Sequence, residues 1–155
     1  MHLDDIDRTL LKLLQEDASR TTKELAALVN LSVTPVFERV KRLEKNGVIK
    51  KYTAIVDSEQ ISKGFVVFCH IRLKQHSRML GQAFRDSILE FEEITECYSI
   101  SGSYDFIAKI YVKSMRHYQD FVLNKLGVLE SIGQIQSDFV MGVLKETHAL
   151  PISDD

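Results

Sequence analysis

Between Thr21 and Gly47 the sequence starts two helices and leaves almost no chain between them, and this constrains the fold more than anything else in it. Thr21-Thr22-Lys23-Glu24 is a T-x-x-E capping box, whose hydroxyl and carboxylate satisfy amides that a helix start leaves without partners. The helix it opens carries Leu25, Leu28 and Val29 and ends near Asn30. Leu31 and then Ser32 follow at once. Ser32 is a good N-cap, and Pro35 falls in the first turn, where a missing N–H is harmless. The spacing predicts a helix from about Val33 to Lys45, stopped by Asn46-Gly47 through a left-handed C-cap. Val33, Val36, Val40 and Leu43 share one face of it, and Thr34, Glu38, Lys41, Arg42 and Lys45 share the opposite one. Upstream, Ile6, Leu10, Leu13 and Leu14 behind Asp4 predict a first helix from about Asp4 to Asp17. Downstream, Val48 to Val56 is rich in β-branched residues and reads as a strand or wing.

A short capped helix, a tight turn and a helix with a basic polar face form the layout of a helix-turn-helix. In such a layout the third helix enters a major groove of double-stranded DNA, while helix N-termini and flanking lysines hold phosphates. Three short helices with a solvated charged face describe a small bundle equally well, and the pattern alone leaves both open. The net charge of −2 counts against a polyanionic partner, but its distribution does not. Residues 1–63 hold 11 Lys/Arg and 10 Asp/Glu, and Glu38–Lys51 alone holds six basic and two acidic residues. Basic charge is concentrated where the predicted binding face lies.

Leu25-Ala26, the run from Leu31 through Val33, Pro35, Phe37, Arg39 and Lys41 to Glu44, and Gly47-Val48-Ile49-Lys50 resemble the helix-turn-helix of the leucine-responsive regulator/AsnC (Lrp/AsnC) family. The similarity continues through Tyr52-Thr53-Ala54 and returns near the C-terminal end. It implies a transcriptional regulator in which Ser32, Thr34, Pro35, Glu38, Lys41, Arg42 and Lys45 lie at the DNA-reading helix, with Thr22 opening the helix before it. Arg39, at the flank of the helical wheel, either touches phosphate or pairs with a carboxylate of the first helix. Glu38 either accepts from a cytosine amine or pairs with Arg42.

After residues 1–56, a polar stretch at 57–64 is the expected linker. Phe65, Val67, Cys69, Ile71 and Leu73 then alternate as a strand, and Ser77 to Phe91 keeps helical spacing. Ile94–Ile100 and Tyr104–Val112 read as strands joined through Ser101-Gly102-Ser103, Met115 to Leu126 as a helix, and Ile132–Val140 as a last strand. The order βαββαβ over 65–150 is ferredoxin-like, giving an α+β chain with a short tail at 151–155. Two helices cover one sheet face. The other, with many apolar side chains, calls for a second subunit.

The resemblance implies that this half assembles homo-oligomers, a dimer or a higher even-numbered ring such as an octamer, and binds a free amino acid as effector. Ser101-Gly102-Ser103-Tyr104-Asp105 looks like the family's effector loop, with Ser103 where an acidic residue is commoner. Gly102 lets backbone amides approach a carboxylate, and Asp105 suits an ammonium; the plain alternative is a hairpin turn capped by Asp105. By resemblance, Gln134, Gln136 and Ser137 of a neighbouring subunit form the opposite wall. An architectural DNA binder is a close variant of this reading. Sirohaem decarboxylases resemble both halves as well, and an enzyme of that kind would draw on His70, His117, Arg72, Arg78 and Arg116, which show no catalytic spacing. Cys69 and Cys97 are unclustered and the histidines lack metal-ligand spacing, so neither metal nor cofactor is expected. No apolar run approaches a membrane span, and Met1-His2-Leu3-Asp4-Asp5 lacks the marks of a signal peptide, which places the chain in the cytoplasm.

Overall fold

The computed structural model describes residues 2–153, whose contacts divide into a unit of residues 2–55 with 145–153 and a unit of residues 56–144. The first is helical: α1 (Asp5–Glu16), α2 (Thr22–Leu28) and α3 (Val33–Lys45). Asp4 caps α1 by accepting from the Asp7 amide at 2.8 Å, and the expected box at Thr21 and Glu24 opens α2. Leu10 of α1, Leu25, Ala26 and Val29 at α2 and Val36 of α3 form the core, with Ile6, Leu13, Leu14 and Val40 around it. That core reaches along α3 only as far back as Val36, so Val33, expected on the apolar face, is exposed.

Both α2 and α3 end in the same closure, and this sets the tight turn. Asn30 takes φ 54 and the Leu31 amide donates to the Ala26 carbonyl at 3.0 Å; Gly47 takes φ 71 and the Val48 amide donates to Leu43 at 3.0 Å. Ser32 occupies the N-cap of α3 but its side chain makes no capping hydrogen bond. The expected wing strand over 48–56 does not form. The Val48 and Ile49 amides donate to the Leu43 carbonyl, and among the described residues no strand pairs with 51–56, without which β-branched residues cannot make a ladder. The C-terminal residues join this unit and not the sheet. The Gln15 amide accepts from Leu150 N at 2.6 Å and donates to Leu150 O at 3.1 Å.

The second unit holds β1 (Phe65–Leu73), α4 (Arg78–Leu89), β2 (Ile94–Ser99), β3 (Phe106–Val112), α5 (Met115–Phe121) and β4 (Ile132–Phe139). The strands form one antiparallel sheet in the order β2-β3-β1-β4, the ferredoxin-like arrangement. Val67, Cys69 and Ile71 of β1 and Ala108, Ile110 and Val112 of β3 are fully buried on one face, beneath Phe84 and Ile88 of α4 and Tyr118 and Phe121 of α5. Phe84 stacks on Phe106 at 4.5 Å between ring centres. The second helix changes character at its end, Val122–Leu126 continuing as a π-helical turn that periodicity cannot distinguish from α. The uncovered face is less apolar than expected. Val66, Phe68, Ile107, Tyr98 and Tyr111 alternate there with His70, Arg72, Glu96, Lys109, Gln134, Gln136 and Asp138, including an ion pair of Lys109 with Glu96 at 3.7 Å.

Candidate functional site

Two sets of side chains stand out, one in each unit. On α3, Thr34, Glu38, Lys41, Arg42 and Lys45 are exposed along one face, with Pro35 half-buried in the first turn. The face is much less cationic than its sequence. Arg42 Nη2 donates to Asp7 Oδ2 at 2.6 Å, and Arg39 Nη1 donates to Asp7 Oδ1 at 2.9 Å and to Asp4 Oδ2 at 2.6 Å. Asp7 is fully buried on α1, so the four groups form a clamp of zero net charge that fixes α3 on α1. Asp4's carboxyl is held below its ordinary value by the Asp7 amide and then by the Arg39 guanidinium, and Arg39 is raised by both aspartates. Lys41 bonds Glu44 at 2.7 Å and lies over the Phe37 ring, while Tyr52 donates to the other Glu44 oxygen at 3.0 Å. Burial first, and then this bond, push the Tyr52 phenol up to about 12. Thr22 lines a cleft of about 240 Å³ with Arg20, Leu25, Phe37, Lys41 and Tyr52.

On the sheet, the hairpin between β2 and β3 sits beside the end of β1. Gly102 has φ 123, a conformation that residues with a Cβ rarely adopt, and nothing lies within 4 Å of where a Cβ would stand. The backbone, not crowding, therefore requires this glycine. Arg72 Nε donates to the Ser103 carbonyl at 2.7 Å and Nη2 donates to the same oxygen. The Arg72 guanidinium also lies over the Tyr104 ring at 5.3 Å, and His70 packs on that ring at 5.4 Å. Tyr104 donates to Gln136 Oε1 at 2.8 Å, and Gln134 Nε2 approaches the same hydroxyl at 3.4 Å. Asp105 Oδ2 accepts from the Leu73 amide at 2.8 Å, with His76 Nδ1 at 3.4 Å from its other oxygen. His70 pairs with Asp138 at 3.0 Å. Arg72, Tyr104, Gln134 and Gln136 thus converge on the uncovered face beside a loop of exposed backbone, within a single chain.

Residues 3–50 match the model of the winged helix-turn-helix DNA-binding domain, and residues 66–150 match that of the Lrp/AsnC ligand binding domain. The chain belongs to the Lrp/AsnC family. It is 34% identical over 150 residues to the DNA-binding transcriptional activator DecR of Escherichia coli, covering 97% of this chain and 99% of that protein. It is also 34% identical to the leucine-responsive regulatory protein of Escherichia coli, covering 97% of this chain and 92% of that one. In three dimensions it is similar to a transcriptional regulator of Neisseria meningitidis solved in complex with L-Met, with TM-score 0.94, 29% identity and 97% of each chain covered.

As an Lrp/AsnC regulator the chain carries a DNA-binding domain and a ligand-binding domain in one polypeptide. Of the residues expected at the ligand, Gly102, Ser103, Tyr104, Asp105, Gln134 and Gln136 gather at one end of the open face. Ser137 does not. The two-residue period of β4 sends it to the helical side, where its hydroxyl bonds that of Tyr118. On α3, Arg42 bonds Asp7 and not Glu38, so part of its charge is balanced within the fold although its side chain stays half exposed. Arg39 takes the carboxylate-pairing alternative. The residues an enzyme would need do not assemble. His70 and Arg72 flank Tyr104, whereas His117 stands 3.9 Å from buried Glu93 on the helical side, and Arg78 and Arg116 are exposed at the first turns of α4 and α5. One contributor escaped the sequence reading: Asp7, which carried a signal as an acid three residues before Leu10 on the apolar stripe of α1. Arg72 was singled out only for the enzyme alternative, and its place beside Ser103 carried no signal, since only the fold brings the two together.

Proposed function

We propose that this chain regulates transcription by presenting α3 to a DNA major groove, as a homo-oligomer whose affinity or assembly responds to a free amino acid bound on the uncovered sheet face. The observation that carries the ligand half is the convergence of Arg72, Tyr104, Gln134 and Gln136 beside the 101–105 loop. Arg72 suits a carboxylate, Asp105 an ammonium, and the amides and phenol a polar backbone, the donor set a zwitterion needs. The L-Met complex of the Neisseria meningitidis regulator supports that ligand class. Dimers or even-numbered rings fit the reading, because the apolar members of the open face, Phe68 and Tyr98 among them, are left without cover by the chain itself. We assign no catalytic role, and a regulator of this kind acts in the cytoplasm. Among the described residues no helix is long and apolar enough to cross a membrane.

A thermal-shift screen of the twenty amino acids tests the ligand half. A ligand selective for the folded state raises the melting temperature by mass action, about 2.7 kcal/mol at a hundredfold excess over Kd. A rise with one or a few amino acids is the expected result, and no rise with any overturns the assignment of an amino-acid effector.

A further inference from the structure

We propose that Glu38 reads cytosine in the DNA site, an inference that rests on the DNA-binding reading above. Glu38 is exposed on the second turn of α3, in the N-terminal half that a recognition helix inserts most deeply. It makes no hydrogen bond or ion pair among the described residues. Its helical neighbours one turn on are both cations, yet neither serves it. Arg42 is taken by Asp7 at 2.6 Å and Lys41 by Glu44 at 2.7 Å. The network leaves one carboxylate uncompensated on the face that approaches a polyanion.

A carboxylate only accepts hydrogen bonds, so phosphates, guanine O6 and N7 and thymine O4 all repel it. The major groove offers two donors, cytosine N4 and adenine N6. Adenine sets its N7 lone pair next to the N6 donor, and a carboxylate meeting that edge gains one contact and suffers the other. Cytosine offers its amine with only its own C5–H on one side, the nearest acceptor being O6 of the paired guanine. Glu38 therefore penalises every wrong base as well as rewarding the right one, which is how a specificity determinant works. The preference for C over T at the contacted position is expected to be on the order of tenfold.

Selection of binding sites from a randomised duplex library by the full-length wild type, Glu38→Gln and Glu38→Ala decides the matter. Because Glu38 has no partner in the fold, both variants keep the wild-type circular dichroism. The wild-type consensus should hold a C in each half-site. In Glu38→Gln that position should turn towards A, whose N6 and N7 suit an amide. In Glu38→Ala it should become degenerate while affinity for random DNA rises. A consensus unchanged in both variants overturns the proposal and leaves DNA binding standing. A wild type that enriches no sequence overturns the sequence-reading regulator itself, and the proposal with it.

Discussion

Replacing Arg42 with Ala separates the two roles that a cation on α3 can play. Counted as an exposed base on a binding helix, Arg42 would neutralise one phosphate per subunit, and its loss would reduce the salt slope of DNA binding by about 0.9 per bound subunit. The geometry gives a different result. Arg42 and Arg39 face Asp4 and Asp7, so the cluster has no surplus charge to offer, and the slope should hardly change. Stability should change instead. The lost contact is a charge-assisted bond of 2.6 Å to an acceptor with 1% of its side chain exposed, but the Arg42 side chain itself is 49% exposed. A bond of that type contributes ~1.5 to 3 kcal/mol when sheltered, and solvent screening of the half-exposed donor reduces this to about 1 to 1.5 kcal/mol. Asp7 Oδ2 is not orphaned by the change, because the Asp4 amide still lies 3.3 Å away. With urea m-values of ~1 to 3 kcal/mol per molar, the helical unit should unfold roughly a third of a molar to one and a half molar earlier by far-UV circular dichroism. Lys45→Ala is the contrast. Lys45 is exposed with no partner among the described residues, so its removal should lower the slope by about 0.9 per subunit without moving the urea midpoint. If Arg42→Ala lowers the slope as Lys45→Ala does and leaves the midpoint in place, the guanidinium abandons Asp7 for phosphate and the clamp argument is wrong.

Asp105→Asn should retain the hairpin and lose the amino-acid response, since an amide oxygen can still accept from Leu73 N while the charge is gone; Asp105→Ala should lower the melting temperature as well. Calorimetry and thermal melts on both separate the roles, and an unaltered amino-acid affinity in Asp105→Asn would place the ammonium elsewhere. Asp4 has a depressed carboxyl value in the folded chain, so its contribution is present above the ordinary 3.8 and lost as pH falls through the folded value. The helical unit should weaken below about pH 4, less steeply in Asp4→Asn, which keeps the cap but does not titrate; identical profiles would mean that Asp4 is not the responsible group. Gln15→Ala removes both hydrogen bonds to Leu150 and should speed amide exchange at Leu150 while leaving the sheet unit's exchange as it was. Unchanged exchange at Leu150 would count against the docking of the C-terminal segment on α1.

What the sequence made legible was local. The cap at Asp4, the box at Thr21, the closure at Gly47 and the alternation of Val67, Cys69 and Ile71 are each set by residues within a turn or a strand of one another, and the elements follow from them. The misreadings came where the outcome depends on partners that composition does not name. Val48 and Ile49 have the composition of a strand, but composition cannot supply the edge a ladder needs, and their amides close a helix instead. Gln134, Gln136 and Ser137 were expected together through the family resemblance alone, and the two-residue period of β4 carries Ser137 to the opposite face once the register with Cys69 is fixed. The charge on α3 is the sharpest case. Glu38 to Lys51 looks strongly basic when its letters are counted, but a carboxylate 35 residues upstream of Arg42 changes which of those charges can meet DNA. Asp7 is tolerated in the core because two guanidiniums reach it, and they are withdrawn from the surface by the same contacts. The fold's requirement for a satisfied buried acid therefore helps decide the electrostatics of the binding face. That face presents Lys45, a Lys41 shared with Glu44, and the free carboxylate of Glu38, a combination better suited to discriminating between bases than to gripping phosphate.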